Sequence, residues 1–542
     1  MKVQASLLSL AIASTLAVAA APADAAVSLK SAAIARADVL VGGNATLLRR
    51  APADVLVARD AVVDANGTEH VRYNRSWNGM PVIGGDFVVH ARNGKLSGVS
   101  QTLTSAQRPA LRALFSKDQA IVEAGARFGT QFIGAPTARS VVYARNTTPV
   151  LAHEVVFNGI KADQTPTEMH YFVDARSGKI LEQWDGIETA KPGPGGGNTG
   201  ICTAAVGVGK SLTLGNVPLN TSLCSGSYRM VDATRGGGAT HNMAMKTTGM
   251  GTVFSGSTNI WGDNLVTNSQ TVAADAHYGI SMTWDYFKTV HSRNGIDGNG
   301  TGAVTRVHYG RNYQNAFWSD SCYCMTFGDG DNGATIYPLV AIDVAGHEMS
   351  HGVTSRTAAL VYSGESGGLN EANSDIFGTM VEYYAASPAD PADYVMGEKL
   401  FPNNADMKQA IRWMFKPSLD KRSPDCYSSS LGTLDVHYSS GVANHFYYLL
   451  AEGAVVPSGF GAGSWANLTP ASLVCNGNTA LTGIGRDKAG KIWYRALTVY
   501  MTSSTNYAAA RTATLNAAAD LYGNGSVPYN AVAAAWSAVS VN

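Results

Sequence analysis

Short alternating runs of apolar and polar residues dominate the early part of the chain. Residues 71–90 alternate in strand fashion around a Gly/Pro turn, and residues 169–181 have the pattern of a hairpin with a polar turn. Between them, Lys117-Asp118-Gln119-Ala120 opens a stretch with helical spacing. The pattern predicts a mixed α and β unit that ends near residue 187.

The pattern changes along the rest of the chain. Residues 190–345 are predicted to be β-rich with glycine turns, interrupted by an amphipathic helix at 273–290. After residue 348, apolar residues recur at helical spacing, which predicts helices at 439–451, 488–501, 507–522 and 529–539. The predicted fold class is α+β, with a β-rich lobe followed by a helical lobe.

Two segments divide the chain. Lys2 precedes an apolar run from Ala5 to Ala21, and Ala23-Asp24-Ala25 has the form of a signal-peptidase site, so we expect export. A membrane anchor is less favoured because the run is Ala/Ser-rich and shorter than the roughly 20 strongly apolar residues that span a bilayer. Residues 191–198 are rich in Pro and Gly and predict an exposed linker, with a processing point near residues 188–190.

Composition limits the possible partners. Lys plus Arg and Asp plus Glu both total 40, so no net charge attracts nucleic acid or an anionic membrane. Charged residues make up 15% and glycines number 58, which fits a loop-rich exported protein. At 542 residues the chain needs several cores. We divide it into a signal peptide (1–25), two domains of the first unit (26–105 and 106–189), a β-rich lobe (190–345) and a helical lobe (346–542).

Six cysteines in an exported chain can form disulfides. Cys202 and Cys224 enclose a short loop and are the preferred pair. Cys322 and Cys324, separated by one residue, would bridge only under strain, so the partners of these two, Cys426 and Cys475 stay open. A second, cysteine-rich zinc site is disfavoured because the chain has no CxxC spacing.

The strongest chemical motif is His347-Glu348-Met349-Ser350-His351. On a helix the two imidazoles stand one turn apart on one face and can hold one metal ion, with Glu348 beside it. Catalytic zinc takes three protein ligands and a water whose pKa it lowers to about 7. A carboxylate next to that water is a general base.

A third ligand is expected from the segment that follows. Residues 362–368 are predicted to be turn-rich, and residues 369–378 to be a helix that packs on the first. Glu371 is the candidate ligand. Asp375, one turn later, can accept the free N–H of His347 and fix its tautomer, and Asn370 is placed with it behind the ligands. The alternative, that these are solvated helix carboxylates, is outweighed by the neighbouring motif.

These motifs resemble those of thermolysin-family zinc metalloendopeptidases, nearest the vibriolysin and pseudolysin branch. The resemblance covers nearly everything after residue 190 and includes Asn-Ala-Phe-Trp at 315–318, Asp275-Ala-His277-Tyr278 and the run from Asp435 to Gly441. Residues 71–90 resemble the fungalysin/thermolysin propeptide motif, and the rest of the first unit its companion domain. The resemblance implies a two-lobed α+β catalytic unit with a central zinc helix, preceded by an α+β propeptide.

The resemblance also implies roles in catalysis. Glu348 would take a proton from the attacking water and pass it to the leaving nitrogen. His437, oriented by Asp435, and Tyr362 would hold the oxyanion, although a histidine near a helix start is more often structural. Arg412 would donate two hydrogen bonds to the carbonyl beyond the cut, the alternative being a surface arginine.

Substrate contacts are implied as well. The substrate would align as an edge strand along Asn315 and the backbone of Ala316. An apolar pocket would favour cleavage before bulky hydrophobic residues, lined by Ile336, Leu339, Val344 and Ile411.

Calcium is the second implied metal. The matching ligands are Asp343, Glu382, Asp393, Glu398 and the carbonyl of Val395. Some relatives carry further carboxylates at the positions of Ala385 and Val395, so we expect one calcium ion rather than a double site. A small insertion near residues 388–390 allows Asp390 to substitute for Asp393.

The main hypothesis is therefore a monomeric, secreted zinc endopeptidase that acts on proteins and peptides and is made as a zymogen, whose propeptide assists folding and blocks the cleft. The alternative is an inert zinc-containing extracellular binding or adhesion protein. The presence of Glu348, His437 and Arg412 together favours the enzyme. In a third reading, which coexists with the first, the released unit at 26–187 acts as a free inhibitor.

Overall fold

The computed structural model describes residues 23–129, 131–187 and 202–542. The expected signal peptide before residue 23 and the expected processing segment lie outside the described residues. Residues 23–25, which the sequence assigned to the signal peptide, are the first residues of helix α1. Among the described residues, none of the helices combines the length and apolar character needed to cross a bilayer.

The first unit, meaning the described residues before 188, is a mixed sheet with two helices. Its elements are α1 (Ala23–Gly43), β1 (Asp54–Val63), β2 (Thr68–Trp77), β3 (Met80–Ile83), β4 (Phe87–Arg92), β5 (Lys95–Gln101), α2 (Lys117–Arg127), β6 (Thr137–Tyr143), β7 (Val150–Ile160), β8 (Pro166–Asp174) and β9 (Ile180–Asp185). The predicted strands at 71–90, the hairpin at 169–181 and the helix opening at Lys117 are confirmed. Ser116 caps that helix by accepting from the backbone N–H of Gln119, whose side chain accepts from Ser116 in return.

One sheet runs through the whole first unit. Its order is β5-β4-β2-β3-β6-β7-β8-β9, with β1 paired to β2. The two halves meet where β3 and β6 pair in parallel, Val82 opposite Val142. The expected domain boundary at 105/106 falls between β5 and α2, so the sheet is continuous across it although each half has its own small hydrophobic core.

The β-rich lobe contains two sheets and one long helix. Its elements are β10 (Cys202–Lys210), β11 (Asn216–Cys224), β12 (Ser227–Arg229), β13 (Val231–Asp232), β14 (Gly238–Asn242), β15 (Thr252–Val253), β16 (Ser255–Gly256), β17 (Ile260–Trp261), α3 (Ser269–His291), β18 (Val304–Tyr309), β19 (Ala316–Ser319) and β20 (Cys324–Gly328). The sheet orders are β16-β12-β11-β10-β17 and β13-β14-β18-β20-β19, with β15 paired to β14. Strand β19 lies at the edge of the second sheet.

The helical lobe follows. Its elements are α4 (Ile342–Ser355), α5 (Gly364–Ala385), β21 (Val395–Met396), β22 (Arg412–Trp413), α6 (Val436–Ser439), α7 (Gly441–Glu452), α8 (Arg486–Arg495), α9 (Tyr507–Tyr522) and α10 (Val527–Ala538). The predicted helices at 507–522 and 529–539 correspond to α9 and α10. The predicted helix at 439–451 is divided between α6 and α7, and that at 488–501 changes to a π-helix at Ala496–Tyr500.

A single hydrophobic core joins the two lobes. Trp261 and Trp318 from the β-rich lobe and Trp493 and Trp536 from the helical lobe are fully buried in the same cluster. Helix α4 lies between the lobes and packs on α3, α5 and β19. The expected central helix is therefore confirmed.

Glycines allow α4 and α5 to approach closely. A Cβ added at Gly378 would lie 2.4 Å from the carbonyl oxygen of Asp343, and one at Gly346 would lie 2.9 Å from the Cα of Gly378. No side chain fits at either position without displacing backbone. This close crossing brings side chains from the two helices into one site.

The turn expected at 362–368 is wrong beyond residue 363, because α5 already begins at Gly364. The glycines of this segment provide space for a neighbouring helix instead of a turn. A Cβ at Gly367 would lie 2.4 Å from Val436 Cγ1, and one at Gly368 would lie 2.5 Å from Ser439 Oγ. Helix α6, which carries His437, therefore packs directly on the first turns of α5.

All six cysteines are paired in the structure. Cys202 and Cys224 stand opposite each other in the β10–β11 ladder and form the preferred disulfide. Cys426 pairs with Cys475, and Cys322 pairs with Cys324 in the turn between β19 and β20. The one-residue spacing is thus accommodated by a hairpin turn. No thiol remains for the cysteine-rich zinc site that the sequence disfavoured.

Candidate active site

Helix α4 directs two histidines at one point. His347 and His351 are buried, and their Nε2 atoms lie 3.0 Å apart. The Nδ1 of His347 donates to Asp375 Oδ1 at 2.8 Å, and the Nδ1 of His351 lies 3.0 Å from Asn370 Oδ1. With Nδ1 protonated in each ring, both Nε2 lone pairs face the same space. Burial lowers the pKa of His347, which favours the neutral form that binds metal ions.

Glu371 on α5 completes the group. Its carboxylate oxygens lie 3.6 Å from His347 Nε2 and 3.4 Å from His351 Nε2. Tetrahedral zinc with ligand bonds of 2.0–2.1 Å separates its ligand atoms by about 3.3 Å. Glu371 Oε2 is buried and accepts no hydrogen bond. Burial by itself would raise the pKa of Glu371, but the neighbouring histidines hold it well below its usual value.

This donor set fits zinc. Two imidazole lone pairs 3.0 Å apart repel each other unless a cation lies between them, and a buried carboxylate oxygen without a hydrogen bond is costly. The three donors are the residues that the sequence predicted as ligands, His347, His351 and Glu371. Asp375 and Asn370 lie behind the two rings, at the Nδ1 atoms.

Tyr362 and His437 stand at the open side of this group. The Tyr362 hydroxyl donates to Glu371 Oε1 and lies 3.2 Å from His437 Nε2. The His437 Nδ1 donates to Asp435 Oδ1 at 2.7 Å, and the imidazole side chain is 49% exposed. Burial of part of the ring opposes its charge, but the carboxylates of Glu371 and Asp435 raise the pKa of His437. The site thus places a tyrosine hydroxyl beside an imidazole whose protonated form is favoured.

Arg412 makes a contact that the resemblance did not imply. Its Nε and Nη2 both donate to Asp375, at 2.6 Å each, so the planar fork holds the carboxylate that orients His347. The residue still lines the cavity of the site. Only the donors that Asp375 does not use are available to a substrate carbonyl.

Asn444 on α7 is a residue that sequence reasoning missed. Its Nδ2 donates to Asp375 Oδ2 at 2.7 Å. The signal available in the sequence was one amide residue, Asn444, within the apolar stretch that begins at Gly441.

A cavity of about 640 Å³ surrounds the group. Glu348 lines it beside His347 and His351. The predicted substrate contacts line it too, namely Asn315, Ala316, Ile336, Leu339, Val344 and Ile411. Met396 joins the apolar wall, although the sequence did not predict it. The cavity has a polar end at the histidines and an apolar end suited to a hydrophobic side chain.

Residues of the first unit also line this cavity. They are Lys161, Thr165, Pro166, Asp185 and Ile187. Thr165 Oγ1 lies 3.1 Å from the Tyr313 hydroxyl, and Ile187 packs against Tyr309, Tyr313 and Phe317.

A second cluster of carboxylates lies behind α4. Oxygens of Glu382, Asp390 and Glu398 come within 4.8 Å of one another. Asp390 thus joins the cluster beside the expected ligands. Asp393 Oδ1 accepts from Val395 N at 2.6 Å, which leaves its other oxygen for a metal ion. Burial and mutual repulsion raise the pKa of Glu398 to about 10.

Asp343 lies beside this cluster. Its Oδ2 accepts from Gly397 N, and burial with nearby acidic groups raises its pKa to about 7. Asp393 Oδ2 and Glu398 Oε2 are buried and accept no hydrogen bond. Such a set of oxygens fits calcium. Val395 lies in β21, two residues after Asp393.

Comparison with known proteins gives consistent matches. Residues 206–355 match the thermolysin metallopeptidase catalytic domain, residues 358–541 its alpha-helical domain, and residues 54–103 the fungalysin/thermolysin propeptide motif. A transglutaminase-activating metalloprotease of Streptomyces mobaraensis is 44% identical over 93% of this chain, which spans 64% of that protein. A thermolysin of Alicyclobacillus acidocaldarius subsp. acidocaldarius is 38% identical over 88% of this chain and 84% of its own length.

Among solved structures, the precursor of protealysin, a metalloproteinase from Serratia proteamaculans, is 28% identical. The match covers 56% of this chain and 87% of that one, with a TM-score of 0.43.

Proposed function

The chain belongs to the thermolysin family of metallopeptidases, and from this premise we propose that it is a secreted zinc endopeptidase, made as a zymogen, that cleaves before bulky hydrophobic residues. The observation that carries the proposal is the convergence of His347, His351 and Glu371 beside Glu348. When bound, zinc supplies Lewis-acid chemistry, because it lowers the pKa of a water to about 7 and polarises a carbonyl.

Glu348 is the general base of this proposal. It lies within the same helical turn as the ligands and lines the cavity where the scissile bond would lie. Its carboxylate takes the proton from the attacking water and then gives it to the leaving nitrogen, so that no charge builds up on either atom.

Tyr362 and His437 hold the developing oxyanion. Their donor atoms lie 3.2 Å apart and both face the cavity. Asp435 orients the imidazole and favours its cationic form. Donors that are fixed before the reaction stabilise the transition state more than the ground state.

Substrate specificity comes from the apolar end of the cavity. Leu339 and Val344 are buried in the wall, with Ile336 and Ile411 beside them. A large aliphatic or aromatic side chain after the scissile bond would displace water from this surface. The edge strand that begins at Ala316 supports alignment of the substrate backbone in extended form.

The zymogen part of the proposal rests on the contacts of the first unit, which contains the propeptide motif. Asp64 pairs with both terminal nitrogens of Arg495 at 2.6 Å each, and Arg72 donates to the carbonyl of Met501 at 2.8 Å. These contacts hold the unit on the helical lobe while its other half closes the cleft. Substrates are excluded until the unit leaves.

One calcium ion in the cluster of Glu382, Asp390 and Glu398, with Asp343 and Asp393 beside it, is proposed as a structural metal. Secretion is proposed from the leader pattern at residues 1–25.

The test uses the processed protein after expression of the full chain. Elemental analysis should find one zinc per molecule, and casein hydrolysis should stop with 1,10-phenanthroline and return when zinc is added. Profiling on a peptide library should place Leu, Phe, Ile or Val directly after most cuts. Hydrolysis that persists without zinc, or a processed chain that holds none, would overturn the proposal.

A further inference from the structure

The carboxylate of Asp375 is surrounded by four hydrogen-bond donors. Its Oδ1 accepts from His347 Nδ1 at 2.8 Å and from Arg412 Nη2 at 2.6 Å. Its Oδ2 accepts from Arg412 Nε at 2.6 Å and from Asn444 Nδ2 at 2.7 Å. An ionised carboxylate has about four lone-pair sites, so every one is used.

Burial of the Asn444 amide at this position is energetically unfavourable. The residue lies on α7 between Ala443 and His445, is 1% exposed, and its Oδ1 is buried and accepts no hydrogen bond. A buried amide oxygen without a donor destabilises the fold, and an apolar side chain of similar size would avoid the cost. The contact that compensates for it is the hydrogen bond to Asp375.

This hydrogen bond fixes the direction of the carboxylate. Arg412 grips both oxygens from β22 but could move together with Asp375 as one pair. Asn444 holds Oδ2 from a different element, so Oδ1 stays aimed at His347 on α4. We propose that Asn444 is a positioning residue that, through Asp375, sets the orientation of the His347 ring toward the zinc ion. The inference rests on the proposed function, because it assumes that zinc binds at this ring.

The chain offers a matched control in Asn373. This residue is equally buried, and it donates to Thr354 Oγ1 at 2.8 Å and accepts from Trp493 Nε1 at 2.9 Å. Its amide therefore joins α5 to α4 and α8, and the two hydrogen bonds go to neither Asp375 nor His347. Loss of either amide weakens the packing of the helical lobe, but only Asn444 lies on the path to a zinc ligand.

The experiment uses the full chain with Glu348→Gln, so that no variant cleaves itself. Zinc affinity is measured by competition with a fluorescent chelator, and stability by thermal unfolding. Asn444→Leu should weaken zinc binding by about 10- to 100-fold, the range seen when groups behind metal ligands are lost. Asn373→Leu should lower the midpoint of unfolding about as much as Asn444→Leu does. It should change zinc affinity by less than about threefold, which is the variation expected for a substitution at an unrelated site.

Asn444→Ser, which removes the amide with less crowding, serves if the Leu variant does not fold, and should weaken zinc binding at least fivefold. Unchanged affinity in the Asn444 variants, or an equal loss in Asn373→Leu, overturns the inference while leaving the proposed function intact. If the parent chain binds no zinc, the proposed function fails and the inference fails with it.

Discussion

Replacing Glu382 by Gln should stabilise the calcium-free chain much more than the calcium-bound chain. The carboxylate oxygens of Glu382, Asp390 and Glu398 lie within 4.8 Å of one another, and all three residues are buried. Burial raises the pKa of all three groups, and in the absence of a cation repulsion from neighbouring carboxylates raises the pKa of Glu382 and Glu398 further. The substitution removes one of the repelling charges and also one of the calcium ligands.

The distance sets the magnitude. Two unit charges 4.8 Å apart interact with about 3.5 kcal/mol at an effective dielectric constant of about 20. Since partial protonation already relieves some repulsion, we expect Glu382→Gln to stabilise the calcium-free chain by about 3 kcal/mol, or about 4 °C in the midpoint of unfolding for a cooperative unit the size of the two lobes. In saturating calcium most of the gain should be lost, because calcium at 100 times its Kd contributes about 2.7 kcal/mol, much of which the variant forfeits with the ligand.

The pH dependence follows from the direction of the shifts. The folded-state pKa of Asp343 is about 7, whereas an unfolded aspartate titrates near about 3.9. The native calcium-free chain therefore holds protons that the unfolded chain has released, and its stability falls as the pH rises from about 4 to about 7. Calcium replaces those protons, so stabilisation by calcium should grow over the same range.

The assay is thermal unfolding, monitored by circular dichroism at pH 5, 6.5 and 8. Each sample is measured with a calcium-specific chelator and again with millimolar calcium, at the same free zinc concentration. Full-length chain with Glu348→Gln avoids self-digestion. Glu123→Gln, an exposed position on α2, is the control and should change stability by less than about 0.5 kcal/mol. A Glu382→Gln variant that is equally destabilised in both conditions would refute the reasoning.

Three further substitutions test the site and the seam between the units. Glu348→Gln should keep its zinc by elemental analysis yet lose at least about a hundredfold in casein hydrolysis, together with self-processing, and normal hydrolysis would exclude it as the base. Tyr362→Phe should lower kcat by about ten- to a hundredfold with little change in KM in steady-state peptide assays, since its donor acts mainly on the transition state; a change confined to KM would contradict that role. Asp64→Asn removes the ion pair with Arg495 and should speed dissociation of the cleaved first unit by about tenfold on gel filtration, whereas unchanged retention would show that other contacts hold it.

Local patterns in the sequence were enough to predict many of the elements and the proposed metal ligands. Helices α9 and α10 follow from apolar spacing, and the pairing of His347 with His351 follows from the pitch of a helix. Glu371 and Asp375 also lie one turn apart, so their shared face could be read from their spacing.

Side chains that meet from distant segments could not be predicted in this way. Asn444 reaches Asp375 from α7, and Asp390 joins Glu382 and Glu398 from a loop, because packing of the helical lobe decides which oxygens become neighbours. Arg412 likewise gives two donors to Asp375, a choice that spacing along the chain does not reveal.

The glycines near the start of α5 also show the difference between what local sequence predicts and what tertiary packing decides. Their sequence indicated a turn, since glycine is common where the backbone must bend. In the folded chain Gly367 and Gly368 are helical and leave room for α6, which brings His437 to Tyr362. The sequence by itself determined periodic structure and the identity of the ligands, because both depend on residues a few positions apart. The tertiary structure alone decided how Arg412 and Asn444 complete the hydrogen-bond network behind those ligands, which joins segments up to 69 residues apart. It also decided that the first unit lines the cleft, through contacts such as Thr165 with Tyr313, 148 residues apart.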